Sequence, residues 1–348
     1  MYIYPSIILL LFLFGIVEVL KINIIIRKIV KVLGILIIFI IIGLNRWSYD
    51  YSNYINRYFD HLEQKEKGFV GLINLLKKYS PYQGHEVVIF IAGILMVILL
   101  IKISKNINLN FILLLYSIYP LILDINQTKN LYMYIFFYFG IIALKNNKLL
   151  YFIIFNIIGI SFHRVGILYL PIYVLKKIPQ KKIYKILLII SIVIFIFLDV
   201  GIVAAKKFYG DKILMYIRDQ SSLTPYFYLL MIFLDLILIY YCNKKYKIIY
   251  KNSELNLYKI ILIFPVIYIP FFFYVGNLGR IYRNLFLLKY IFYFKIIKKV
   301  NFKDKLLIIS YAFSIAVANL ILYLNLMDNF QVLKLFYENQ FIYYIIGK

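Results

Sequence analysis

Residues 120–175 read PLILDINQTKNLYMYIFFYFGIIALKNNKLLYFIIFNIIGISFHRVGILYLPIYVL, two apolar stretches that each carry a polar knot. The first knot, Asp124-Ile125-Asn126-Gln127-Thr128-Lys129-Asn130, lies between Leu121-Ile122-Leu123 and the aromatic run Tyr132 to Phe139. The second, Ser161-Phe162-His163-Arg164, interrupts an apolar run from Leu149 to Leu175. A charge at the centre of a bilayer costs about 2.5–3.5 kcal/mol on insertion scales. Ionisable groups inside such runs therefore point to function.

Working outward, 64% of the 348 residues are hydrophobic, which excludes a soluble domain and predicts an all-α polytopic membrane protein. At roughly 20 residues per span the chain has room for about twelve transmembrane helices, with a range of 11–13. Spans are predicted near 2–20, 29–45, 86–103, 109–123, 129–144, 149–161, 165–175, 183–199, 226–242, 257–275, 282–297 and 305–325. The pair around His163 reads as broken helices. The whole chain, 1–348, reads as a single integral-membrane domain, with Tyr2 to Leu20 as a retained first span. An outer loop covers 46–86, a second covers 200–225, and an interfacial or membrane segment covers 328–348. Within the first loop, Gly68 to Tyr79 is amphipathic and should lie on the membrane surface or pack over the spans.

The net charge of +25 is assigned to loops that orient helices and not to nucleic acid. The loops after odd-numbered spans hold 23 Lys and Arg against two acids, and the opposite side holds 16 against 11. By the positive-inside rule the first set is cytoplasmic. Arg46, Asp50, Lys129, His163, Arg280 and Arg283 then share the outer, periplasmic face. One cysteine and three histidines give no framework for a disulfide or a metal cluster. No Walker, GxGxxG or GxSxG motif is present, so no cofactor is implied.

In Gly276-Asn277-Leu278-Gly279-Arg280-Ile281-Tyr282-Arg283-Asn284, helical spacing lets Arg280, Arg283 and Asn284 face one way. Two guanidinium forks at a helix mouth suit an anion clamp, with contact to lipid headgroups as the lesser alternative. Lys289 lies deeper, off that face, and reads as half of an ion pair or as a snorkelling contact. His163 reads as a core histidine bonded to a backbone group or as a site residue.

Five patches, in order, resemble the EpsG family of Wzy-like polysaccharide polymerases. Arg46, Asp50, Tyr51 and Tyr54 are similar to its Arg-x-x-x-Asp-Tyr-x-x-Tyr pattern. Glu66-Lys67-Gly68-Phe69 resembles a Glu-Pro-Gly-Phe segment, with Lys67 in place of proline. Asp124 to Asn130 resembles a Gln-x-Arg-Asn element through Gln127 and Asn130, with Lys129 in place of arginine. Ser161-Phe162-His163 with Leu168 to Pro171 resembles a Phe-His stretch, and Arg280 to Asn284 a late Arg-x-x-Arg-Asn motif. The resemblance implies polymerisation of polyprenyl-diphosphate-linked oligosaccharide on the outer leaflet of a bacterial cell membrane. A flippase and a chain-length regulator of the same pathway would be partners. It implies His163 and Asp50 as catalytic candidates. It implies Arg46, Gln127, Lys129, Arg280, Arg283 and Asn284 as diphosphate- or substrate-binding candidates. The competing expectations are a multi-span transferase using a polyprenyl-phosphate sugar, a flippase for the same glycan, and a membrane O-acyltransferase.

Overall fold

The computed structural model describes residues 3–20, 23–45, 54, 66–80, 84–105, 107–201, 203, 224–273 and 279–326. Arg46, Asp50, most of the two outer loops and the segment 328–348 lie outside the described residues. Among the described residues the secondary structure is helical, without strands. Among the described residues four helices, His85–Ile103, Pro225–Tyr246, Ser253–Phe272 and Phe302–Leu324, are long and apolar enough to cross a membrane. Large apolar side chains such as Ile25, Val32, Leu188, Ile192, Phe233 and Leu307 are exposed on helix faces. Water would penalise such faces and lipid would not. The protein is an all-α membrane protein.

The chain divides into two compact units. The first comprises Met1–Ile167 and Ile309–Lys348, the second Leu168–Ile308. In the first, α1 (Ile3–Val19), α2 (Ile24–Gly43), α3 (Lys67–Tyr79), α4 (His85–Ile103), α5 (Leu109–Ile118), α6 (Leu121–Asn126), α7 (Thr128–Lys145) and α8 (Leu149–Phe162) follow in order. The run expected at 109–123 is thus two helices, with the break at Tyr119-Pro120, and a further break at Gln127 separates α6 from α7.

Polar groups collect at opposite ends of this unit. At one end Glu18 of α1 accepts the backbone N–H of Asn110 at 2.7 Å and pairs with Lys31 of α2 at 3.6 Å. Lys31 also donates to the carbonyls of Ser104 and Ile107 at 3.2 and 3.0 Å. A charge entering the apolar region is thus met by backbone carbonyls at the turn between α4 and α5 as well as by a carboxylate. At the other end Tyr4 donates to the Ser117 carbonyl, 3.0 Å away. Helix α2 lies against α4 where Gly43 meets Gly93. A Cβ at Gly93 would stand 2.6 Å from the Gly43 Cα, so a side chain there would force the helices apart.

The second unit holds α9 (Pro171–Lys177), α10 (Gln180–Ile196), α11 (Thr224–Tyr246), α12 (Ile248–Lys251), α13 (Ser253–Ile263), α14 (Ile269–Phe272), α15 (Gly279–Arg283), α16 (Phe286–Ile297) and the start of α17 (Phe302–Leu326). Its centre is ionic. Lys289 of α16 and Asp235 of α11 pair at 2.8 Å, both side chains 1% exposed. The Tyr282 hydroxyl of α15 donates to Asp235 at 2.6 Å and accepts from Lys289 at 2.6 Å, and the Tyr293 hydroxyl also donates to Asp235. Lys289 is therefore half of a structural ion pair, one of the two readings the sequence allowed.

Removing one partner of a sealed pair strands the other charge, at about 3–5 kcal/mol. Lys289→Met should lower the thermal midpoint of the detergent-purified full chain. Combining it with Asp235→Asn should recover most of that loss. A double variant no more stable than the single one would show that the pair is not what couples these helices.

Candidate functional site

Helix α8 stops at Phe162, and the backbone turns extended at His163 before a 3-10 turn over Arg164–Tyr169. The expected break around His163 is present. The hairpin of α7 and α8 brings that break beside the first polar knot. Its turn runs through Asn147, whose φ of 57° is a left-handed conformation that asparagine tolerates. Aromatic stacking sets the contact near the break. Phe162 lies on Tyr132 at 4.7 Å between ring centroids with a 6° interplanar angle. Tyr132 in turn donates to the Val88 carbonyl at 2.6 Å, tying α7 to α4.

The amphipathic segment 68–79 forms α3, which buries Phe69, Ile73 and Leu76 against the unit instead of standing free. Gly68 allows the approach. A Cβ there would lie 2.8 Å from the Ser161 Cβ and 2.9 Å from its carbonyl carbon. Glu66, the residue before α3, is thereby held near the end of α8.

Lys129, buried in the first turn of α7, donates to Glu66 Oε2 at 3.0 Å. Its ammonium also stands 5.0 Å from the Phe69 ring centroid, a cation–π contact. Burial of Glu66 works against its charged form. The charge and hydrogen bond of Lys129, with the charge of His163, overcome that and hold the carboxyl below the usual carboxylate range. Val165 N–H donates to His163 Nδ1 at 3.2 Å. A neutral His163 ring then carries its proton on Nε2 and offers a donor there.

Behind this cluster Tyr54 stacks on His85 at 4.8 Å with a 9° interplanar angle, and Thr128 Oγ1 lies 3.4 Å from His85 Nε2. Asp124, the acid of the first knot, is buried and accepts from the Tyr116 hydroxyl at 2.9 Å. It serves packing of α5 on α6. Gln127 occupies the half-buried junction of α6 and α7.

In the second unit Asn284 donates to the Tyr169 hydroxyl at 3.0 Å, and Tyr169 donates to the Ile281 carbonyl at 3.2 Å. Arg283 is buried and Arg280 is described by its backbone only. Gly279 lies so close to Tyr228 that a Cβ would stand 2.2 Å from its ring. The sequence candidates thus fall in two groups. Lys129 and His163 share surroundings with Glu66 in the first unit, and Arg283 and Asn284 lie in the second. Arg46 and Asp50 lie outside the described residues. Glu66 and Tyr169 carry polar contacts that site reasoning from sequence had not assigned, although Glu66 lies in a patch that carried the resemblance.

Because the folded pKa of Glu66 lies below its unfolded value of about 4.3, its ionic contacts stabilise the fold above that value. The contribution is lost as pH falls through the lower, folded pKa. The thermal midpoint of the wild type should exceed that of Glu66→Gln at neutral pH, and the difference should close on acidification. A difference independent of pH would show that the ion pair contributes nothing to stability.

No curated protein and no solved structure matches the chain. A family model described as EpsG family matches residues 28–345, nearly the whole chain and all five patches. The Glu66, Lys129 and His163 elements all lie inside the match, and the chain belongs to the EpsG family, a family of Wzy-like polysaccharide polymerases.

Proposed function

We propose that this chain polymerises lipid-linked oligosaccharide repeat units on the outer leaflet of a bacterial cell membrane, crossing it about twelve times. The product would be a capsular, exopolysaccharide or O-antigen glycan. The observation that carries the reading is family membership along nearly the whole length, joined to a polar cluster at one end of the first unit. In the reaction, the hydroxyl of one repeat unit's terminal sugar attacks the anomeric carbon of the glycan on another polyprenyl diphosphate. The bond from that carbon to the diphosphate oxygen breaks, the lipid diphosphate leaves with the electron pair, and the hydroxyl proton passes to a base.

Charge develops on the diphosphate, so cations and donors in a low-dielectric site lower the barrier. Lys129, with Gln127, is proposed for this in the first unit. Arg280, Arg283 and Asn284 are proposed in the second, and Arg46 retains its proposed binding role. His163 fits a donor better than a base, because its Nδ1 is taken by the Val165 N–H. It would donate from Nε2 to a diphosphate or sugar oxygen. The proton acceptor is then a carboxylate, for which the sequence reading put forward Asp50.

A strain lacking the gene should accumulate single lipid-linked repeat units on the outer leaflet. Wild type should restore long chains. Lys129→Met and His163→Ala, inserted at wild-type level, should reduce chain formation by about 100-fold or more, the range for loss of a charge-stabilising group. Units retained on the cytoplasmic leaflet would indicate a flippase. Normal chain length lacking one sugar or acetyl group would indicate a decorating transferase. Either result overturns the polymerase reading.

A further inference from the structure

We propose that Glu66 takes the proton of the acceptor hydroxyl, and that its ion pair with Lys129 is a latch which the incoming lipid diphosphate opens. The inference rests on the polymerase reading above and adds to it a residue and an order of events.

Three observations carry it. The first is placement. Gly68 against Ser161 brings the start of α3 onto the end of α8, so Glu66 stands beside both Lys129 and the break that presents His163. The second is unequal access. In the pair the Glu66 side chain is 22% exposed and that of Lys129 8%, so the carboxylate is the partner that opens outward. The sealed Asp235–Lys289 pair, at 1% on each side, offers no such access. The third is competition. The Lys129 ammonium stands 3.0 Å from the Glu66 carboxylate, which carries one negative charge. A diphosphate carries more charge and more acceptor oxygens, and draws the same ammonium more strongly.

The sequence of events follows from electrostatics. Before the donor arrives, Glu66 neutralises the Lys129 ammonium, and Glu66 is a weak base because Lys129 stabilises its anion. When the ammonium turns to the diphosphate, the carboxylate loses that stabilisation and gains an anion nearby. Both changes raise its proton affinity. The base is therefore released only when a donor is present. The hydroxyl proton passes to Glu66, the sugar oxygen bonds to the anomeric carbon, and the diphosphate departs. The proton then leaves Glu66 to water, and Lys129 returns to it when the lipid diphosphate dissociates. Among the described residues, the other charged or basic groups on the elements packed against α3 include His85 and Glu86 at the start of α4 and Lys102 in its last turn, with exposed Arg164 just beyond the end of α8 and Lys77 and Lys78 at the far end of α3. Lys67 is exposed on α3 itself.

The test uses the full chain in phospholipid vesicles, with lipid-linked repeat units isolated from the deletion strain as substrate. Glu66→Gln keeps the reach of the side chain and removes its basicity. It should lower kcat by about 10²–10⁴-fold, the usual contribution of a general base, with KM changed far less. Glu66→Ala should be equally slow and should regain turnover when sodium formate supplies a carboxylate. Glu66→Asp should be intermediate. Turnover of Glu66→Gln within threefold of wild type would overturn the assignment. So would loss in Glu66→Asp as complete as in Glu66→Gln with no response to formate, because that pattern belongs to a structural residue. If Asp50→Ala alone abolishes turnover and responds to formate, the base is Asp50 and the latch has no catalytic part. If the wild-type chain makes no polymer from these units, the polymerase reading fails and the inference falls with it.

Discussion

An ammonium among apolar helices stays charged only if an anion is brought to it, and that demand organises this protein. Lys31 meets Glu18, Lys129 meets Glu66, Lys289 meets Asp235, Lys295 meets Glu254 and Lys245 meets Asp304. Each pair joins two different helices or their ends. In water such pairs contribute little, because both ions are well solvated apart. In lipid the separated state leaves a charge without solvent, so a pair as sealed as Lys289–Asp235 dictates which helices must be neighbours, whereas Lys245, 41% exposed, meets Asp304 where water reaches it. The apolar faces supply no comparable selectivity. Lipid tails solvate Leu and Ile as well as another helix does, and close approach depends instead on small residues such as Gly43 and Gly93.

The pairs differ in what they leave for function. Asp235 and Lys289 are sealed, and the hydroxyls of Tyr282 and Tyr293 satisfy the lone pairs that remain. Tyr282 lies between Arg280 and Arg283 in sequence, so this buried network also anchors the short helix that carries both arginines. The Glu66–Lys129 pair has no such enclosure on the carboxylate side. One pair closes a fold, and the other stands at an opening.

Much of the fold was legible as apolar runs, because a run long enough for a helix in lipid is a local property of the chain. The break at His163 was legible as a polar knot inside such a run, whereas Asp235 and Lys289 stay within unbroken helices because they pair with each other. The amphipathic segment before α4 was legible as a helix by its spacing. What was not legible is pairing. Glu66 and Lys129 are 63 residues apart, and no periodicity links them. The same holds for Asp235 and Lys289, which the sequence presents as isolated charges in separate runs. Sequence reading weighted the cations by their affinity for diphosphate and passed over the carboxylates that hold them. The spacing that aligns Arg280, Arg283 and Asn284 gave no sign that Asn284 would bond Tyr169.

That omission bears on how an enzyme can keep an anion site inside a membrane protein. A lysine reserved for a diphosphate must be charged when the substrate arrives, yet for most of its life no substrate is there. Left alone while buried, its charge would stand with neither solvent nor counterion, a costly state. A neighbouring carboxylate solves this by occupying the place of the substrate's charge at rest. The arrangement has a cost, since the diphosphate must displace the carboxylate before it can bind. Displacement then leaves a carboxylate newly freed beside an electrophile, when a proton acceptor is needed. A counterion for the resting state and a base for the reaction are thus compatible duties for one residue, because the event that ends the first duty begins the second.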